Sequence, residues 1–246
     1  MPFTFSHPAI VLPLTMLPRR WFSLTGLVVG SIAPDCEYFL RMKVSSNYSH
    51  TIGGLFWFNL PLSLVLAFLF HHLVRNSLFD NLPPVLQNRL SAYKEFSWNT
   101  YFKGNWLMVC ISILVGAASH LLWDSFTHEY GYFVSVLPVL AEKVNISGAS
   151  LPVFKILQHT STLIGAIVIA VALYKLPIYK MKSHRPSIRY WATLFIIAVV
   201  IVLLRLLSGL ELRMYGHLIA TAIAGLMLSL VFTPLCVRGI FRSGRV

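Results

Sequence analysis

The chain has 246 residues, 57% of them hydrophobic and only 11% charged, where a soluble domain carries about 25% charged residues. So few charges cannot cover a water-facing surface of this size, and lipid must cover much of it. The formal charge of +12 lies mostly in short segments between apolar runs, and no basic run is interleaved with stacking aromatics, which excludes a nucleic-acid partner.

The first residues, MPFTFSHP, lack a basic n-region, and no small-residue cleavage site follows the first apolar stretch. Met1 to His7 are therefore expected to stay in the mature protein. Residues 9–17 and 21–33 are apolar but each falls short of the ~17 residues a span needs. With Arg19-Arg20 between them and Pro34-Asp35 after them, they predict a re-entrant helical hairpin, which is tolerated only against protein or a wet cavity.

Five spanning helices follow in the pattern, over residues 52–74, 105–127, 155–176, 188–207 and 215–237, each near the ~20 residues a bilayer demands. Pro61 is expected to kink the first. The fold class is thus all-α: a polytopic membrane bundle plus an N-terminal hairpin. It is expected as one membrane domain, with 1–51 the hairpin and loop, 52–176 the site-bearing helices, and 177–246 two further spans.

The connections alternate in basic content. Arg75, Arg89, Lys94 and Lys103 precede the second span, and Lys143 alone precedes the third. Lys180, Lys182 and Arg185 precede the fourth, Arg213 alone precedes the fifth, and Arg238, Arg242 and Arg245 end the chain. The rich segments are expected in the cytoplasm, with the C-terminus inside and the first span entering from outside. Arg41 and Lys43 run against this pattern. Cys36, Cys110 and Cys236 are scattered and imply no disulfide framework.

The strongest motif is Gly116-x3-His120-x3-Asp124-x3-His128. Steps of four place these residues on one helical stripe, each turned about 40° from the last. Ionisable groups inside a span are costly by ~2.5 kcal/mol or more and normally face a cavity or a partner. Imidazole and carboxylate are also the ligands that zinc and related divalent ions take. By topology His7, His50, His120, His128, His159 and His217 converge on one face, with Asp35 there too and Glu37 close by. His159 and His217 read as interfacial residues before ligands, Glu37 as an outer partner or a solvated residue, and His71-His72 as residues reaching for the cytoplasmic interface.

The segments "MPFTFSHPAIVLPL", "GSIAPDCEYFLR", "YSHTIGGLFWFNLP" and "SHLLWDSFTHEYG" resemble an uncharacterised family of bacterial membrane proteins. The likeness runs through "LPVFKILQHTSTLIG", and the last two helices are generic. That family is similar in turn to predicted membrane-bound metal-dependent hydrolases, which share a Pro-Asp, a Ser/Thr-His and a His-x3-Asp in this order. A more distant likeness is to zinc-dependent phospholipase C and single-strand nucleases of the same fold. It implies metal ligation by His7, Asp35, His50, His120, Asp124 and His128. The family's His-x3-Glu is missing, since Leu163 stands four residues after His159, which limits the expectation to one or two ions.

The expected activity is that of a zinc-dependent (or other divalent-metal) hydrolase at the outer face of the bacterial inner membrane. Asp124 or Asp35 would bridge ions or take a proton, and membrane lipid or a lipid-linked phosphoester would be the partner. The alternatives are a metal-ion or proton transporter, and an assembly protein in which a metal ties the hairpin to the bundle. The oligomeric state is open.

Overall fold

The 30-residue helix Trp98–Thr127 carries Gly116, His120 and Asp124 of the stripe, and His128 directly follows it. The computed structural model describes residues 3–146, 148–179 and 185–243. Lys180, Lys182 and Arg245 of the basic connections, and His184, lie outside them.

In chain order the helices are α1 Pro8–Val11, α2 Leu24–Ile32, α3 Cys36–Arg41 and the long α4 Ile52–Asn81. Next come α5 Pro84–Leu90, α6 Trp98–Thr127, α7 Tyr132–Val136 and α8 Pro138–Ala141. The series ends with α9 Val153–Tyr174, α10 Ile188–Leu207 and α11 Tyr215–Ser243. Five stretches are long and apolar enough to cross a membrane: Ile52–Asn81, Trp98–Val136, Val153–Tyr174, Ile188–Leu207 and Tyr215–Val237. This is the all-α architecture of an integral membrane protein, with outward apolar side chains such as Leu163, Ile167, Phe195 and Leu204 for lipid to cover.

Three differences from the sequence expectation have physical causes. The residues ahead of Pro61 adopt a π turn over Leu55–Asn59; proline removes one donor and crowds the preceding turn, and the wider turn gives the ring room. The second helix begins at Trp98, and Asn105, where it was expected to start, is instead an interior break with φ −139° and ψ 24°. An antiparallel hairpin, β1 Lys143–Ile146 with β2 Ala149–Pro152, precedes α9. Its alternation was too short to stand out.

The chain divides into two compact units, Met1–Asp35 with Tyr48–Leu64 and Phe102–Tyr174, and Cys36–Asn47 with Val65–Tyr101 and Lys175–Val246. In the first, α1 packs on α2, and α2 lies backbone to backbone on α6. A Cβ on Gly30 would sit 2.2 Å from the Ile113 carbonyl oxygen, and one on Gly116 would sit 2.3 Å from that of Leu27. Only glycine permits so close an approach. Ser23 caps α2, accepting from Gly26 N at 3.2 Å, while its own N–H donates to Ser112 Oγ at 2.8 Å. Val134, Leu140 and Phe154 form a small core beneath α7–α9, with Phe126 stacked on Phe133 at 4.0 Å.

In the second unit α10 and α11 form an antiparallel pair. Buried Arg75 pins the following loop, donating to Phe96 O at 2.7 Å and Lys94 O at 2.9 Å. His71 stacks on Trp98 at 4.6 Å and meets Arg75 Nη1 at 3.1 Å. His72 pairs with Asn99 at 2.9 Å. Glu37 binds locally: it accepts from Arg41 Nε at 2.8 Å and from Asn47 N at 2.9 Å.

Candidate metal centre

Four side chains from three stretches of the first unit converge on one point. Asp35 ends the short 3-10 turn after α2, His50 precedes α4, and His120 and Asp124 sit one turn apart on α6. One donor atom from each lies within 4.8 Å of the others. His50 Nε2 is 3.5 Å from Asp35 Oδ1 and 3.6 Å from Asp124 Oδ2; His120 Nε2 is 3.5 Å and 3.3 Å from the same two oxygens.

These separations are longer than hydrogen bonds. A charge-assisted imidazole–carboxylate hydrogen bond would be about 2.7–2.9 Å. Ligand atoms about 2.0–2.2 Å from one tetrahedral ion would lie about 3.3–3.6 Å from one another, so these four separations are compatible with a shared ion. The electrostatics agree. Asp35 and His120 are fully buried and Asp124 nearly so, and two buried carboxylates without a compensating cation would cost several kcal/mol, on the order of what a buried unpaired charge costs. A divalent ion would cancel that charge, as protonation of the facing imidazoles would in part. Among the described residues, His7 Nε2, Asp35 Oδ1, His120 Nε2 and Asp124 Oδ1 are buried atoms that make no hydrogen bond.

The outer atoms of His120, His50 and Asp35 are engaged, which orients their inner ones. His120 Nδ1 is 2.7 Å from Ser31 O; a carbonyl only accepts, so Nδ1–H donates, and in the neutral ring Nε2 keeps its lone pair. Ser49 Oγ lies 2.9 Å from His50 Nδ1, and Asn59 Nδ2 steadies Ser49 by donating to its carbonyl at 2.8 Å. Thr4 Oγ1 donates to Asp35 Oδ2 at 2.5 Å, leaving Oδ1 for the centre.

His7 and His128 border the centre through the second oxygen of Asp124. His7 Nε2 and His128 Nδ1 are each 3.6 Å from Asp124 Oδ1. His7 stacks on His120 with ring centroids 3.7 Å apart. His128 Nδ1 donates to the Asp124 carbonyl at 3.0 Å, so its Nε2 carries the lone pair. Burial, then the neighbouring His120, pushes His7 down to about 3. Burial alone would raise the Asp35 carboxyl, but the attraction of His120 and His50 holds it well below the usual carboxylate range. His50 is raised in spite of burial, because Asp124 and Asp35 favour its charged form.

Of the six residues expected as metal ligands, Asp35, His50, His120 and Asp124 come together, and His7 and His128 lie beside Asp124. His159 is exposed on α9, and His217 and Glu37 belong to the second unit. Thr4, Ser31 and Ser49 were not singled out. A backbone carbonyl leaves no mark in a sequence, and only the adjacency of Ser49 to His50 hinted at a partner.

A helical membrane scaffold enclosing a buried His/Asp cluster defines the class: an integral membrane protein with a candidate metal-binding centre. Residues 1–235 match a family described as a domain of unknown function (DUF4184), and the chain belongs to that family. Comparison with curated proteins finds no match, and comparison with solved structures finds none either.

Proposed function

We propose that the protein is a membrane-bound metal-dependent hydrolase acting on a phosphoester of a lipid or lipid-linked substrate at the outer face of the membrane. The observation that carries this is the ring of Asp35, His50, His120 and Asp124 donor atoms at 3.3–3.6 Å spacing. The order of Pro-Asp, Ser-His and His-x3-Asp along the chain supports the hydrolase class by resemblance. The alternation of basic connections supports the outward orientation.

Zinc is the favoured ion, and when bound it supplies Lewis acidity and a water acidified toward ~7. Asp35, His50, His120 and Asp124 hold the ion. Asp124 is the better placed proton acceptor, because Oδ1 makes no hydrogen bond, whereas Thr4 occupies the second oxygen of Asp35. His7 and His128 flank that Oδ1 and either orient the substrate or help hold a second ion. The His50 side chain is 22% exposed and that of His128 30%, so substrate enters along this flank.

The test is elemental analysis of protein purified in detergent, together with turnover of a phosphodiester in mixed micelles. Wild type is expected to carry stoichiometric metal and to hydrolyse the ester. The double variant His120→Ala, Asp124→Ala should lose both. Metal-free wild type, or a double variant with undiminished metal, would falsify the assignment.

A second reading, ion passage, draws on Asn59 and Ser63. Both are fully buried in the first span, and Asn59 Oδ1 and Ser63 Oγ make no hydrogen bond among the described residues. Metal-dependent flux into liposomes would favour it over hydrolysis.

A further inference from the structure

Asp35 is the most enclosed acidic ligand, and its two oxygens have different fates. Oδ1 faces His50 and His120, while Oδ2 accepts from Thr4 Oγ1 at 2.5 Å. Thr4 is itself 5% exposed, so no bulk water competes for this bond. The residue is also held from outside. Phe3 N donates to Thr162 Oγ1 at 3.0 Å, and Ser6 Oγ donates to Thr162 O at 3.0 Å. These bonds strap residues 3–6 along α9. The Thr4 hydroxyl is thus presented to Asp35 by a segment anchored at both sides of it.

A free carboxylate can bind an ion through one oxygen or both, and the choice changes coordination number and the room left for water. With Oδ2 committed to a hydroxyl donor, Asp35 has only Oδ1 to offer. From this geometry we infer that Thr4 is a positioning residue that enforces one-oxygen ligation by Asp35 and keeps the carboxylate ionised and aimed at the centre. The inference rests on the metal-binding proposal above. Outer partners of this kind typically change metal affinity 10–100-fold when removed.

The experiment compares wild type, Thr4→Ser and Thr4→Val, each purified in detergent, stripped with chelator and titrated with Zn²⁺ against a chromophoric competitor. A parallel set is loaded with Co²⁺, whose visible absorption bands report coordination number and geometry. Thr4→Ser keeps the donor and should match wild type in affinity and spectrum. Thr4→Val keeps the shape and loses the donor; it should bind 10–100-fold more weakly and give a shifted, weaker Co²⁺ spectrum as Asp35 turns to two-oxygen ligation. Thr4→Ala carries the same expectation on a smaller scale, since a water can replace the hydroxyl, and it takes the place of the valine variant if that does not fold. Affinity and spectrum equal to wild type in the donor-less variant overturn the positioning role while leaving the metal centre intact. No binding by wild type overturns the metal proposal itself and this inference with it.

Discussion

Gly116→Ala is a small change with a large expected consequence. The new methyl carbon would stand 2.3 Å from Leu27 O, 2.8 Å from Ser31 N and 3.1 Å from Gly30 C. All three are backbone atoms of α2, so no side chain can turn aside. Restoring ordinary contact, which begins near 3.4 Å, requires α2 and α6 to part by about 1 Å, a cost of about 1–3 kcal/mol. One turn further along α6, His120 Nδ1 donates to Ser31 O at 2.7 Å. Opened by the same amount, that bond passes the ~3.5 Å limit at which a hydrogen bond has gone. His120 loses the partner that fixes its ring, and zinc affinity should fall about 10–100-fold. Gly104→Ala on the same helix is the control. Nothing lies within 4 Å of its added carbon, so it should be neutral or stabilise by up to about 1 kcal/mol. The assay is chelator competition alongside thermal unfolding in detergent. Wild-type affinity in Gly116→Ala would refute the claim that α2 packing positions His120.

Three further outcomes follow from the geometry. Zinc must displace a proton that His50 holds to higher pH than an ordinary histidine, so affinity should weaken as pH falls from about 8 to about 6, measured by competition at each pH. Arg75→Ala orphans the Lys94 and Phe96 carbonyls and should destabilise by about 2–4 kcal/mol in unfolding experiments, with bound metal unchanged in the folded fraction. His159→Ala should alter neither metal content nor stability beyond about 0.5 kcal/mol, because the residue is an exposed one on α9.

The five spans were legible because a long apolar run almost free of charge is stable chiefly in lipid, and their limits fell within a few residues except at the end of the first and at both ends of the second, which extends to Val136. The first span runs on to Asn81 through a second π turn at Phe70–Val74, past Arg75, the charge before which the expected span stopped. The second reaches back to Trp98, where polar Asn99, Thr100, Lys103 and Asn105 hid a helix behind an unpromising composition. The centre was legible in part. His120 and Asp124 stood out because charge in a span is costly, and Asp35 and His50 could be added only through topology and chain order. Thr4, Ser31 and the glycine contact at Gly116 depend on approach between segments distant in the chain, with 89 residues separating Ser31 from His120; no local pattern encodes such an approach.

The ligands are far apart along the chain, with Asp35 and His50 made well before His120 and Asp124. In a protein that is synthesised from its N-terminus, the early pair exists without a complete ligand set until the second span has been inserted and packed. On the metal-binding proposal, ion capture would be a late event in biogenesis, fastening the first-made segments to a helix that arrives afterwards. A chain stalled before Trp98 would carry only half a site, and metal retention would distinguish properly inserted molecules from those still in assembly.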